Sequence, residues 1–136
     1  MSEFPHLMHT AIDTPDPRGL AEFYREFLGL RYRPGDEPPT GASEDDVHWL
    51  VLVDDEGKRK IAVQHVDSLP RPTWPSHEVP MQLHLDFSVS THHELERQKD
   101  RALALGATIL LDRSEDPDVG CVLADPSGHP FCLLSR

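Results

Sequence analysis

The chain has 136 residues, with 13 Lys and Arg against 24 Asp and Glu, and a formal net charge of −11. This length fits one domain with its own core, and the acidic balance argues against a nucleic-acid partner, which requires a basic face. There is no apolar run of the roughly 20 residues that a membrane span needs and no signal segment. We therefore expect a cytoplasmic protein without a membrane partner.

The first half of the chain is predicted to form a strand, a helix and three further strands. The strand covers residues 7–14 and places His9, Ala11 and Asp13 on one face. Asp16 and Pro17 are typical of a helix start, and Gly29 is typical of a helix end. Three further strands are predicted at 30–33, 47–53 and 60–66. The first two of them are connected by an acidic, proline-rich loop at 34–46, which we expect to be mobile.

The second half repeats this plan after a proline-rich connector at 67–80. Its opening strand, 82–89, places His84, Asp86 and Ser88 on one face. Thr91 begins a capping box, so a helix is predicted from about residue 92 to the glycine at 106. Three strands are predicted to follow, at 108–111, 119–124 and 130–134.

The repeat is the strongest indication of the fold. His9 and His84 are 75 residues apart, and Gly29 and Gly106 are 77 apart. We expect an α+β fold in one domain, 1–136, made of two tandem βαβββ modules at about 5–67 and 80–136. Their curved mixed sheet would surround a central cup, with the helices on the outer face. Polar residues on the concave face predict a ligand or metal site.

The two cysteines, Cys121 and Cys132, flank a turn at residues 125–128. A type I turn with a left-handed glycine sets the hairpin register so that they point to opposite faces. Free thiols are therefore expected, which fits a reducing compartment.

Three local strings, together with the repeated plan, resemble the vicinal oxygen chelate superfamily, which includes glyoxalase I, extradiol dioxygenases and the bleomycin- and fosfomycin-resistance proteins. These strings are residues 23–30, 104–107 and 125–131, and the resemblance covers essentially the whole chain. It implies a homodimer that binds a small molecule. Among its members, the chain is most similar to small glyoxalase-like proteins.

The resemblance also implies a place for one divalent metal. The ligand positions of metal-using members fall on His9, Gln64, His84 and Cys132, and zinc, iron, nickel and manganese are the candidate ions. Cys132 stands where relatives usually have a glutamate. It is either a thiolate ligand or a small buried apolar residue, and Asp86 is a candidate for the missing carboxylate.

Two functions remain open at this point. The first is a metal-dependent lyase, isomerase or dioxygenase that acts on a small oxygen-bearing molecule, with Asp13 or Asp86 carrying a proton. The second is a metal-free binding protein of the bleomycin-resistance kind, which would sequester an aromatic or cationic compound. Candidate substrate contacts are Trp49, Trp74 and Ser88.

Overall fold

The computed structural model describes residues 3–41 and 44–136 of the chain. The chain divides into two compact units, Met1–Ser68 and Leu69–Arg136, and the division lies inside the predicted connector. Each unit contains one helix and a four-stranded sheet.

The first unit builds its sheet in the order β1-β4-β3-β2. Its elements are β1 (Thr10–Thr14), α1 (Pro17–Leu28), β2 (Arg31–Tyr32), β3 (Trp49–Val53) and β4 (Arg59–His65). Strand β1 is parallel to β4, and the other pairs are antiparallel.

Helix α1 begins and ends where the sequence predicts. The Asp16 side chain accepts a hydrogen bond from the Gly19 amide, and Pro17 follows it in the first turn. Gly29 closes the helix with a φ of 67°, in the left-handed region that favours glycine. The apolar face of the helix is buried apart from Leu28, which is half-buried. Its buried members are Leu20, Ala21, Phe23, Tyr24 and Phe27.

The loop at 34–46 contacts helix α1 and strand β3 of the first unit. Residues 42 and 43 of the loop lie outside the described residues. The Arg18 guanidinium pairs with Asp45 and also donates to the carbonyl of Asp36 at 2.6 Å. The Asp36 carboxylate accepts from the Val51 amide at 2.9 Å. The loop was predicted to be mobile because its composition cannot form a core, but ionic and backbone contacts anchor its described part.

The second unit repeats the topology of the first, with strand order β5-β8-β7-β6 and β5 parallel to β8. Its elements are β5 (Leu85–Val89), α2 (His92–Ala104), β6 (Thr108–Arg113), β7 (Gly120–Ala124) and β8 (Pro130–Ser135). The prediction of an α+β fold with two βαβββ modules is confirmed. The mixed sheet consists of two separate four-stranded sheets, and the cup shared by the modules stays a prediction.

Helix α2 has a weaker apolar face than α1. Thr91 caps its start by accepting from the Glu94 amide at 3.0 Å. Leu95 and Ala102 are buried, whereas Leu103, predicted to belong to the apolar side, is 37% exposed. Lys99 compensates with polar contacts, since its ammonium pairs with Glu96 on the helix and with Asp112 on β6.

Both opening strands begin later than predicted. His9 and His84 lie just before β1 and β5 rather than inside them. The reason is the parallel register, which provides strand partners in β4 for Thr10–Thr14 and in β8 for Leu85–Val89.

The β7–β8 hairpin has the predicted register. Cys121 lies opposite Leu133, and Val122 lies opposite Cys132, so the two cysteines point to opposite faces. Both are free thiols. Gly128 provides the left-handed residue of the turn, with a φ of 98°.

Within the described ranges, no helix combines the length and apolarity required to cross a membrane.

Candidate metal site

Three side chains of the second unit bring different metal-binding atoms together. A ring nitrogen of His84, a carboxylate oxygen of Asp86 and the sulfur of Cys132 all lie within 4.8 Å of one another. The Nε2 atom of His84 is 3.2 Å from Oδ1 of Asp86. A nitrogen, an oxygen and a sulfur donor thus converge on one face of the sheet.

The strand register creates this convergence. Asp86 on β5 lies directly opposite Cys132 on β8, and paired residues of neighbouring strands point to the same face. His84 precedes Asp86 by two residues, which brings its side chain back to that face. The sequence pattern placed His84 and Asp86 together, and the register adds Cys132.

Burial and the neighbouring carboxylate act together on the Cys132 thiol. Burial is the larger cause and the hydrogen bond to Asp86 the second, and together they raise the pKa of Cys132 to about 12. Without an ion the side chain is therefore a neutral thiol at physiological pH.

The donor set fits a divalent ion of the zinc type. Zinc is bound by imidazole nitrogen, carboxylate oxygen and thiolate sulfur at about 2.0–2.3 Å, which separates tetrahedral donors by about 3.5 Å. The side chains of His84 and Asp86 are 38% and 55% exposed, so both can rotate towards an ion without disturbing the core. Three protein donors leave a fourth position for water or substrate, as in catalytic zinc sites.

The first unit contains the other predicted ligands, and one of them has a buried ring nitrogen. The Nδ1 atom of His9 is buried and has no hydrogen-bond partner among the described residues. Its ring lies 5.8 Å from the ring of Trp49, which packs against the buried cluster of Val51, Val53 and Ala62. A buried, unpartnered ring nitrogen is expensive unless a ligand or ion completes it.

Gln64 lies opposite Asp13 and opposite Trp49 in the first sheet, so the three residues share one face. When the two modules are aligned so that His9 matches His84, Gln64 corresponds to Leu134, and Ala62 corresponds to Cys132. Gln64 and Cys132 therefore match by strand but not by register. That His9 and Gln64 bind the same ion as His84 stays a prediction.

The remaining predicted contacts lie in different surroundings. Ser88 is exposed on the same face of β5 as Asp86, two residues further along. Trp74 is half-buried in the connector, inside a short loop closed by a hydrogen bond of 2.8 Å from the Thr73 amide to the Val79 carbonyl. Their roles as substrate contacts stay predictions.

A feature of the first unit that the sequence did not predict is a groove of about 390 Å³. It is lined by residues 7–10 and by the consecutive cations Lys58, Arg59 and Lys60. Three adjacent cations in so acidic a chain were the available signal. Two of these cations are paired with carboxylates, Lys58 with Glu56 and Lys60 with Asp54, so the positive charge of the groove is largely compensated.

The model of the glyoxalase-like domain family matches residues 9–134. The match starts at His9 and includes both modules with all three donors of the second. The chain belongs to the glyoxalase-like domain family.

Several solved structures share this glyoxalase-like fold at low sequence identity. A possible glyoxalase from Bacillus cereus is 12% identical, with a TM-score of 0.63 over 95% of this chain and 97% of that one. A glyoxalase/bleomycin resistance protein/dioxygenase family enzyme from Burkholderia phytofirmans is 17% identical, with a TM-score of 0.62 over 93% and 94%.

A third neighbour was solved with a metal. It is a mutant of the fosfomycin resistance protein FosX from Listeria monocytogenes, complexed with Mn(II) and 1S,2S-dihydroxypropylphosphonic acid. It is 18% identical to this chain, with a TM-score of 0.64 over 97% of this chain and 90% of that one. No curated protein matches the chain in sequence.

Proposed function

We propose that this glyoxalase-like protein is a metal-dependent enzyme that acts on a small molecule with two adjacent oxygen atoms. The observation that supports this proposal is the convergence of His84, Asp86 and Cys132 within 4.8 Å. A divalent ion bound there would supply Lewis-acid chemistry. The reaction class would be lyase, isomerase or dioxygenase.

Each of the three residues has a distinct part in this proposal. His84 supplies an imidazole from an exposed position just before β5, and the half-buried Cys132 supplies sulfur from β8. The Asp86 carboxylate lies 3.2 Å from the His84 ring and within 4.8 Å of the Cys132 sulfur. It therefore orients both neighbours in the absence of the ion and compensates positive charge in its presence.

Proton transfer is assigned to carboxylates of the same exposed strand faces. Asp86 would accept the thiol proton if the sulfur bound an ion, because its carboxylate lies within 4.8 Å of the sulfur. Asp13 is the second candidate proton carrier, on β1 opposite Gln64. A homodimer and a cytoplasmic location remain expectations.

One observation favours a second function, which is metal-free binding. The unpartnered Nδ1 of His9 beside Trp49 could receive a hydrogen bond from a small aromatic ligand stacked on the indole ring. This would be sequestration of the bleomycin-resistance kind.

The test is the metal content of protein purified without a histidine tag. We expect about one ion per chain in the parent, loss of that ion in His84→Ala, and retention in the control Ser88→Ala, which alters the same strand face outside the donor set. Turnover of catechols and hydroxyketones should then require the ion and stop on chelation.

If the protein takes up no ion after incubation with zinc, iron, nickel or manganese, the enzyme proposal fails. Quenching of Trp49 or Trp74 fluorescence by aromatic compounds in that metal-free protein would then favour the binding function.

A further inference from the structure

We propose that Cys132 binds the ion as a thiolate and makes the site of the second module selective for zinc over manganese. The inference rests on the proposed function, because it names the ion of the same site. It also departs from the Mn(II) that the FosX neighbour contains.

The position of the sulfur is the first support. Cys132 lies opposite Asp86 in the strand register, and its sulfur belongs to the group of donors within 4.8 Å. The other cysteine provides an internal contrast. Cys121 is fully buried and points to the other face of the sheet, since it is paired with Leu133. It belongs to no donor group among the described residues.

The second support is the chemistry of the donors. Thiolate is a soft ligand that favours zinc, whereas manganese favours carboxylate, carbonyl and water oxygens. Manganese also stands at the weak end of the affinity order of divalent first-row ions. A set with one sulfur, one nitrogen and one oxygen ligand therefore discriminates against manganese more strongly than a set of oxygen and imidazole ligands without sulfur.

The binding step is balanced by the release of one proton. The S–H bond of Cys132 breaks, the sulfur–metal bond forms with the electron pair of the sulfur, and the proton passes through Asp86 to water. The Asp86 carboxylate, within 4.8 Å of the sulfur, provides the path for this proton. No oxidant or reductant takes part.

Cobalt(II) is the probe for the sulfur ligand. Full-length protein loaded with cobalt should show a thiolate-to-cobalt charge-transfer band in the near ultraviolet. The band should disappear in Cys132→Ser and persist in the matched control Cys121→Ser. Asp86→Asn should keep the band and bind zinc about 10-fold to 100-fold more weakly, because the sulfur ligand remains and the carboxylate is lost.

Competition between zinc and manganese tests the selectivity. We expect zinc to bind at least about 100-fold more tightly than manganese in the parent, and this ratio to fall at least about 10-fold in Cys132→Ser. The melting temperature of each variant reports whether it is folded. If Cys132→Ser does not fold, the band in Cys121→Ser still tests the assignment, because Cys132 is then the one cysteine left in the chain.

Three results would overturn the inference. They are bound cobalt without the band, a band that survives in folded Cys132→Ser, and manganese bound as tightly as zinc. Each leaves the enzyme proposal intact, since an ion is still bound. Absence of any bound ion removes both, so the two failures are distinguishable.

Discussion

At the scale of single residues, Gly120 shows how closely β7 and β8 approach. Its φ is 70°, and a Cβ at this position would lie 2.1 Å from the carbonyl oxygen of Leu133. Gly57, in the turn between β3 and β4, has a similar φ of 81°, but within the described ranges no heavy atom beyond its chain neighbours lies within 4 Å of its Cβ position. A side chain at Gly57 would therefore introduce backbone strain alone, whereas a side chain at Gly120 would introduce both backbone strain and steric overlap.

We predict that Gly120→Ala destabilises the protein far more than Gly57→Ala. The change at Gly57 should cost about 1–2 kcal/mol for a left-handed alanine, and the change at Gly120 should add about 1–3 kcal/mol for overpacking against β8. Urea unfolding of both variants measures the difference. Equal losses of stability would show that β8 moves away without cost.

The donor set shows what can be predicted about individual residues. His84 and Asp86 share a face by strand alternation alone, and the resemblance added Cys132. That Asp86 faces Cys132 depends on the register between strands 46 residues apart in the chain, which local patterns do not encode. The register between strands is also the reason why Gln64 does not occupy the position of the first module that corresponds to Cys132.

At the scale of elements, polar contacts hold α2 to its neighbour β6. The Lys99 ammonium is 2.9 Å from Asp112 on β6, and it also pairs with Glu96. The Asp112 carboxylate accepts a second hydrogen bond from the Ser114 hydroxyl. These bonds, led by the one from Ser114, lower the pKa of Asp112 to about 2.

We predict that Asp112→Asn reduces stability at neutral pH but not in acid. A carboxyl whose folded pKa is depressed stabilises the protein above its unfolded pKa, near 4, and this contribution disappears as the pH falls towards 2. Because the side chain is 35% exposed, solvent screening limits the loss at pH 7 to about 1 kcal/mol.

Urea unfolding between pH 7 and pH 3 checks this prediction, with Asp55→Asn as control. Asp55 is 81% exposed and pairs with Arg31, so its loss should change stability little at any pH. A loss in Asp112→Asn that is the same at pH 3 as at pH 7 would contradict the assignment.

The elements differ in how far their sequence determines them. Helix bounds follow from local chemistry, since Asp16, Gly29 and Thr91 act within a few residues of themselves. Strand starts depend on partners elsewhere in the chain, which is why β1 and β5 are shorter than predicted. The anchoring of the loop through Arg18 also required knowledge of a contact 27 residues away.

At the scale of the whole molecule, an ion that binds the native state stabilises the entire chain. We predict that zinc at about 100 times its Kd adds about 2.7 kcal/mol, which corresponds to a rise in Tm of about 10 °C for a chain of this size.

Differential scanning calorimetry of parent and Cys132→Ser, with and without zinc, measures this effect. The rise should persist in Cys121→Ser and be largely lost in Cys132→Ser. A full rise in both variants would show that zinc stabilises the chain from another place.

The doubled topology was predictable because repeated local phrases mark both halves, at His9 and His84 and again at Gly29 and Gly106. The placement of one half against the other was not, because it depends on long-range packing that periodicity does not describe. The sequence therefore indicated the fold of each module better than the composition of the site.

The register has an evolutionary consequence. With His9 matched to His84, Ala11 and Ala62 stand in the first module where Asp86 and Cys132 stand in the second. Two substitutions thus separate the first module from the three-donor set of the second, so one copy of a duplicated module gains or loses this set through two single-residue changes.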